Sequence, residues 1–133
     1  MDFNKLKESA AAAANFSYAP YSNFHVGAAI LCSDGSIYTG CNVENRSYGL
    51  TICAERSAVS NAVISGHTRF TAVAVFCLDS DSPVPPCGAC RQVLTEFCGS
   101  DVPVFYSGRN NDFKMISMGD LYPEDSLHNL KNF

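Results

Sequence analysis

The segment of residues 3–14 has the hydrophobic periodicity of a helix. Phe3, Leu6 and Ala10 recur at helical spacing within an alanine-rich stretch, and alanine is the strongest helix former. Pro20 follows, and because the residue before a proline avoids the helical region, the helix is expected to end before it. This segment is therefore the first predicted helix.

Apolar segments further along the chain have the composition of β-strands. "HVGAAILC" (25–32) and "SIYTGC" (36–41) are separated by Ser33-Asp34-Gly35, which is a hairpin turn signal. "FTAVAVFCL" (70–78) is a nearly continuous run of apolar residues, many β-branched or aromatic, as is typical of a strand covered on both faces. Two more strands are predicted at "VPVFYS" (102–107) and "FKMIS" (113–117).

Two further helices are predicted between these strands, at "AERSAVSNAVISG" (54–66) and "CGACRQVLTEFCG" (87–99), each ended by a glycine. The order is then helix, two strands, helix, strand, helix, two strands. That order predicts an α/β fold with a central sheet covered by helices. The sequence has no internal repeat and no linker, so residues 1–133 are predicted to form a single domain.

The composition limits the classes of function. Hydrophobic residues make up 47% of the chain and charged residues 17%, which favours a compact globular protein. The net charge is −4 and the nine lysines and arginines are scattered, so the chain lacks the basic patch of a nucleic-acid-binding protein. No apolar run reaches the length of a membrane span, and the first residues do not resemble a secretory signal. We therefore expect a cytoplasmic protein that acts on a small molecule, without a nucleic-acid or membrane partner.

The chain has seven cysteines, an odd number, which argues against a disulfide framework in an intracellular protein.

Cys87 and Cys90 form a CxxC pair after two prolines, at the predicted start of a helix, where both sulfurs can reach one ion. Such a pair also occurs in redox couples and in structural zinc sites, and the pair alone does not distinguish these alternatives. The other four cysteines are predicted to be packing residues: Cys32, Cys41, Cys77 and Cys98.

A third thiol and a carboxylate make the pattern more specific. Cys53 stands at the predicted start of the other helix, and Glu55 follows two residues later. Both side chains can face one point only if Cys53 lies at the very start of the helix and Glu55 in its first turn. Three protein ligands and one open position are typical of catalytic zinc, and C-x-E followed by P-C-x-x-C is the signature of zinc deaminases. Arg56 or Arg91 is expected to donate to the sulfurs and offset their charge.

At this point the sequence resembles the cytidine deaminase family. The resemblance covers most of the chain and rests on "YAPYSNFHVGAAI" from Tyr18 and "GCNVENRSYGLTICAER" from Gly40, together with "PCGAC". It implies a three-layer α/β/α sandwich with a five-stranded mixed sheet. It also implies a homotetramer with shared active sites and one Zn²⁺ per subunit. The implied reaction is hydrolytic deamination of cytidine and deoxycytidine to uridine and deoxyuridine with release of ammonia, in pyrimidine salvage.

The resemblance also assigns roles to individual residues around the metal. Cys53, Cys87 and Cys90 match the zinc ligands, and Glu55 matches the proton shuttle. Arg56 matches the arginine that donates hydrogen bonds to ligand sulfurs in members with three cysteines. These five residues form the metal half of the predicted site.

Five more residues match the substrate-binding half. Phe24 matches an aromatic residue that packs on the pyrimidine, and Asn42 and Glu44 match the pair that holds the ribose hydroxyls. The backbone at Ala54 matches a contact to the base. Tyr48 matches a residue that reaches the active site of a neighbouring subunit.

One segment departs from the family pattern. Members often carry Leu-Leu-Pro near the C-terminus, followed by an aromatic residue that closes over the substrate of another subunit. Here "LYPEDSLHNL" from Leu121 has no aromatic residue at that place, and neither Tyr122 nor Phe133 is assigned the role.

Three alternatives stay open from the sequence. A redox protein would use Cys87 and Cys90 alone. A structural zinc module would need a fourth protein ligand. A related zinc deaminase would act on RNA, on nucleotides, on another cytosine nucleoside or on a nucleoside antibiotic.

Overall fold

The computed structural model describes residues 2–131, and its centre is a five-stranded sheet with the order β2-β1-β3-β4-β5. Strands β3 and β4 pair in parallel and the other neighbours pair antiparallel, so the sheet is mixed, as expected. The strands are β1 (Val26–Cys32), β2 (Ile37–Cys41), β3 (Phe70–Cys77), β4 (Pro103–Ser107) and β5 (Lys114–Ser117).

The three predicted helices are confirmed within a few residues at each end. They are α1 (Asn4–Ala14), α2 (Ala54–Ile64) and α3 (Gly88–Thr95). Three short elements were not predicted, namely α4 (Met118–Leu121) and the 3-10 turns Tyr48–Leu50 and His128–Leu130. Elements of three or four residues are too short to show a helical period in the sequence. Within residues 2–131, no helix has the length and apolar character needed to cross a bilayer.

The helices cover both faces of the sheet and form two separate hydrophobic cores. One core joins α1 to the sheet, with Leu6 and Ala10 packed against Ala29, Ala74 and neighbouring residues. The other core joins α2, α3 and α4 to the opposite face. Successive residues of β3 from Ala72 to Phe76 alternate between the two cores, which explains why the strand is apolar apart from the exposed Thr71. The three-layer α/β/α sandwich is therefore confirmed.

The predicted turns are also present. Gly35 has φ +91° and donates its N–H to the Cys32 carbonyl at 2.9 Å, which closes the β1–β2 hairpin. Gly66 has φ +95° just beyond α2, where the His67 N–H reaches the Ala62 carbonyl at 3.0 Å. This is the hydrogen-bond pattern of a glycine-terminated helix.

Helix α2 lies directly on edge strand β2 because Gly40 has no side chain. A Cβ atom at Gly40 would come within 2.3 Å of the Ala58 nitrogen and 2.7 Å of the Ala54 oxygen. Both atoms belong to the helix backbone, which cannot move aside as a flexible side chain can. The first turn of α2 is thereby held at a fixed place against the sheet, and that turn carries three of the predicted site residues, Ala54, Glu55 and Arg56.

Candidate active site

The two helix starts predicted to carry the site lie side by side. Cys53 is the N-cap residue of α2 and Cys87 is the N-cap residue of α3, both with extended backbone. Neither helix has a side-chain hydrogen bond that caps its first turn. Helix N-termini favour negative charge, so both positions stabilise a thiolate. The chain just before Cys53 is fixed by a pair of 2.9 Å backbone hydrogen bonds between Val43 and Ile52.

Three thiols converge at this point. The sulfur atoms of Cys53, Cys87 and Cys90 all lie within 4.8 Å of one another, and those of Cys53 and Cys87 are 3.9 Å apart. A tetrahedral zinc ion with Zn–S bonds of about 2.3 Å places its sulfurs about 3.8 Å apart. Within residues 2–131, no further Cys, His, Asp or Glu joins this group. The cluster therefore fits a zinc ion held by three protein ligands, the number found in catalytic sites.

The surroundings of Cys53 favour its thiolate form. A hydrogen bond from Cys90 and the guanidinium group of Arg56 lower the pKa of Cys53 to about 5. Cys90 donates the proton of the hydrogen bond between its thiol and Cys53, and it is fully buried. Both factors raise the pKa of Cys90. The Nη2 atom of Arg56 lies 3.4 Å from the Cys53 sulfur. The Nε atom of Arg56 is buried without a hydrogen-bond partner.

Arg91, the other arginine predicted to donate to the sulfurs, donates to backbone carbonyls instead. Its Nε atom donates to the Pro86 carbonyl at 2.7 Å and its Nη1 atom to the Leu121 carbonyl at 3.0 Å. The side chain therefore ties the loop before Cys87 to the end of α4. Arg91 therefore helps to fix the position of the CxxC segment.

Glu55 lies in the first turn of α2 and is 5% exposed. Burial, with the charge on Cys53 acting in the same direction, raises the pKa of its carboxyl group to about 7. A carboxyl group with a pKa near the working pH can both accept and donate a proton. The requirement for Cys53 at the helix start and Glu55 in the first turn is met, because the N-cap residue has left the helical conformation.

Asn42 and Glu44 are placed beside the segment that carries Phe24, and both are engaged with it. The Asn42 side chain accepts from Val26 N at 2.9 Å and donates to the Phe24 carbonyl at 2.8 Å. The Glu44 carboxylate accepts from the backbone of Tyr21 at 3.0 Å. The family resemblance predicts these two residues as sugar ligands. The structure shows that their side chains anchor the preceding loop.

Tyr48 and Ala54 differ strongly in exposure. Tyr48 is 76% exposed on the 3-10 turn, while Ala54 is fully buried at the first position of α2. Tyr48 and Glu44 line a cleft of about 320 Å³, in which the Tyr21 ring lies 6.2 Å from that of Tyr48.

The C-terminal segment packs away from the thiols. The Tyr122 hydroxyl donates to Gln92 Oε1 at 2.8 Å, and its ring packs against the core beside α3. Lys131 donates to the Cys98 carbonyl at 3.2 Å, near the end of α3 opposite Cys87. This agrees with assigning Tyr122 no role over the substrate, and Phe133 lies outside the described residues.

Two side chains near the site were missed by the sequence analysis. Ser22 donates its hydroxyl hydrogen to Glu44, and Asp79 accepts from His25, whose Nδ1 lies 2.9 Å from Asp79 Oδ2. Both contacts join residues that are more than 20 positions apart, 22 in one case and 54 in the other. No local sequence signal marks pairs at such separations.

The chain is similar in sequence and in structure to known cytidine deaminases. The sequence model of the cytidine and deoxycytidylate deaminase zinc-binding region matches residues 2–106. Cytidine deaminases of Sporosarcina psychrophila and Halalkalibacterium halodurans are each 46% identical over 123 residues, covering 92% of this chain and 90% and 92% of theirs. The crystal structure of cytidine deaminase from Burkholderia pseudomallei superposes with a TM-score of 0.88 at 45% identity, covering 93% of this chain and 98% of that one. The chain belongs to the cytidine and deoxycytidylate deaminase family.

Proposed function

We propose that this protein is a zinc-dependent enzyme that hydrolytically deaminates cytidine and deoxycytidine. The observation that carries the proposal is the convergence of three thiols from two helix starts, with the buried Glu55 in the same first turn as one of them. A redox couple would need neither Cys53 nor Glu55. A structural zinc site would need a fourth protein ligand, and residues 2–131 bring none to the cluster.

Cys53, Cys87 and Cys90 would hold one zinc ion per subunit. When bound, zinc supplies a Lewis acid that makes a water molecule acidic enough to ionise near neutral pH. Arg56 offsets part of the negative charge of three thiolates through its hydrogen bond to Cys53. The charge balance matters because excess negative charge at the cluster would oppose the ionisation of the water.

Glu55 carries the protons of the reaction. It accepts one proton from the attacking water and delivers it to N3 of the cytosine ring, while the water oxygen bonds to C4. It then passes the second proton of that oxygen to the amino group on C4. The C4–N bond breaks, ammonia leaves, and C4 becomes the carbonyl carbon of uridine. Water, cytidine, uridine and ammonia balance without another reactant.

The substrate residues have roles that follow from their positions. Phe24 is 38% exposed, so its ring has a face available to pack on the pyrimidine. Glu44 and Asn42 would bind sugar hydroxyls, and the backbone at Ala54 would contact the base. We also propose that this activity, whose product is a uracil nucleoside, serves pyrimidine salvage in the cytoplasm.

We further propose a homotetramer whose active sites are shared between subunits. Apolar and aromatic side chains around the 3-10 turn are exposed in the single chain, with Tyr48 at 76% and Leu50 at 67%. Exposed apolar patches mark interaction sites, and aromatic residues are enriched in protein interfaces. Light scattering should give four times the 14.3 kDa of one chain, and the mass of a single chain would contradict this assembly.

Replacing Arg56 with Ala is expected to weaken zinc retention and lower activity. The variant removes the donor to Cys53 and leaves the negative charge of the cluster without compensation. Zinc per chain should be measured after dialysis against a chelator, together with the rate on cytidine. Arg69→Ala is the matched control because that side chain is exposed and lies just before β3, beyond the end of α2 that is far from Cys53. Wild-type zinc content and rate in Arg56→Ala would remove this residue from the metal site.

The substrate class is tested by comparing cytidine, deoxycytidine and deoxycytidylate at equal concentration. Loss of the cytosine absorption should be fast for the two nucleosides. Two features favour a nucleoside over a nucleotide as the substrate. The Asn42 and Glu44 pair suits hydroxyl groups, and the sequence has no basic cluster that would bind a phosphate. A clear preference for deoxycytidylate would overturn the nucleoside assignment while leaving the deaminase chemistry intact.

A further inference from the structure

We propose that Ser22 is a positioning residue, which fixes the Glu44 carboxylate in the orientation needed to bind a sugar hydroxyl. The inference rests on the proposed function and deepens it. Ser22 and Glu44 line the same cleft, of about 320 Å³, that Tyr48 closes on one side. Ser22 does not itself need to touch the nucleoside to act in this way.

The Glu44 carboxylate is held by three donors from one short loop. Its Oε1 atom accepts from the backbone nitrogens of Tyr21 and Ser22, at 3.0 Å and 3.1 Å. Its Oε2 atom accepts from the Ser22 hydroxyl. These contacts, with the Ser22 hydroxyl as the largest contribution, lower the pKa of Glu44, so the group is a carboxylate at neutral pH.

The direction of the Ser22 hydroxyl is determined by its two partners. Its oxygen accepts from the Phe24 N–H at 3.0 Å. A carboxylate can only accept, so the hydroxyl hydrogen must point at Glu44 Oε2. Ser22 therefore connects the backbone of the residue proposed to pack on the base with the residue proposed to bind the sugar.

The count of acceptor positions shows why one hydroxyl group matters. A carboxylate offers about four lone-pair positions, two on each oxygen. Both positions of Oε1 and one position of Oε2 are occupied by the loop. The remaining position is on Oε2, which, among residues 2–131, is held by the Ser22 hydroxyl alone. Without the Ser22 hydroxyl, Oε1 stays anchored and Oε2 loses its fixed direction.

The rest of the loop is anchored independently of Ser22. Asn42 binds the Phe24 carbonyl and Val26 N, and Asp79 Oδ2 accepts from His25 N at 2.5 Å. Asn23 has φ +55°, a conformation that asparagine tolerates. Removal of the Ser22 hydroxyl should therefore leave the loop in place and disturb mainly the carboxylate.

The test compares Ser22→Ala and Ser22→Thr with the wild-type protein on cytidine and on 2′,3′-dideoxycytidine, which lacks the 2′- and 3′-hydroxyl groups of the sugar. Ser22→Ala should raise KM for cytidine about tenfold, as expected for a lost hydrogen bond to a charged group, with kcat within about twofold of wild type. KM for the dideoxy compound should stay near its wild-type value. Ser22→Thr keeps the hydroxyl and should restore most of the affinity.

Ser36→Ala is the matched control. Ser36 also donates to a carboxylate, that of Asp34 at 2.5 Å, but in the hairpin between β1 and β2 at the opposite end of β1 from Phe24. It should leave both KM values unchanged. Equal increases in KM for both nucleosides in Ser22→Ala, or no increase for cytidine, would overturn the inference about Ser22 alone. No turnover of cytidine by the wild-type protein would overturn the proposed function itself and the assignment of Ser22 with it.

Discussion

Replacing Glu55 with Gln is expected to lower kcat for cytidine by roughly 10³- to 10⁴-fold while zinc content stays at the wild-type level. Gln has nearly the shape of Glu, so the buried space in the first turn of α2 remains filled. The amide can neither accept the proton of the attacking water nor deliver a proton to the leaving amino group. Because one carboxylate serves both transfers, its loss affects both halves of the reaction.

The measurement requires zinc analysis and steady-state rates on the same preparations. Glu55 does not belong to the group of three thiols, so its substitution should not remove the metal. Glu96→Gln is a suitable control because Glu96 is the C-cap residue at the far end of α3 and is exposed. A Glu55→Gln variant with a rate within about tenfold of wild type would contradict the assigned role.

Replacing Gly40 with Ala is expected to have the largest effect on the fold. The new Cβ would overlap the backbone of α2, at 2.3 Å from Ala58 N and 2.7 Å from Ala54 O. Overpacking of a core usually costs about 1–3 kcal/mol, and overlap with rigid backbone puts this site at about 3 kcal/mol or more. The helix must move away from β2, and its first turn carries Glu55, so activity should fall together with stability.

Thermal unfolding of Gly40→Ala should begin roughly 10 °C below that of the wild-type protein. Gly99→Ala is the control, because a Cβ there would meet only the side-chain oxygen Asp101 Oδ1 at 3.2 Å, which can rotate away. Unfolding of Gly40→Ala at the wild-type temperature would show that α2 does not depend on close contact at this glycine.

Much of the fold could be predicted because its main signals are local. The nearly continuous apolar run of β3 indicated a strand covered on both faces, and its residues from Ala72 to Phe76 do alternate between the two cores. Gly35 and Gly66 marked the hairpin turn and the end of α2, where each adopts a positive φ. The three thiols were linked by their place at predicted helix starts, and the structure brings them together.

The remainder depends on contacts between distant parts of the chain. Arg56 and Arg91 looked equivalent from their positions near the cysteines, and only the packing of α4 shows that Arg91 turns to the Leu121 carbonyl. Asn42 and Glu44 were predicted as sugar ligands from the resemblance to the cytidine deaminase family. Their hydrogen bonds to residues 21–26 depend on how that segment lies against the residues that follow β2, which no local pattern encodes.

The central claim is that the three-thiol cluster and Glu55 together catalyse hydrolysis of the C4–N bond of a cytosine nucleoside. The most direct test is to incubate the purified, zinc-loaded protein with cytidine and to quantify uridine and ammonia in the same samples. The account predicts that both products form at equal rates, one ammonia for each uridine. Persistence of cytidine in the presence of protein that retains its zinc would contradict it.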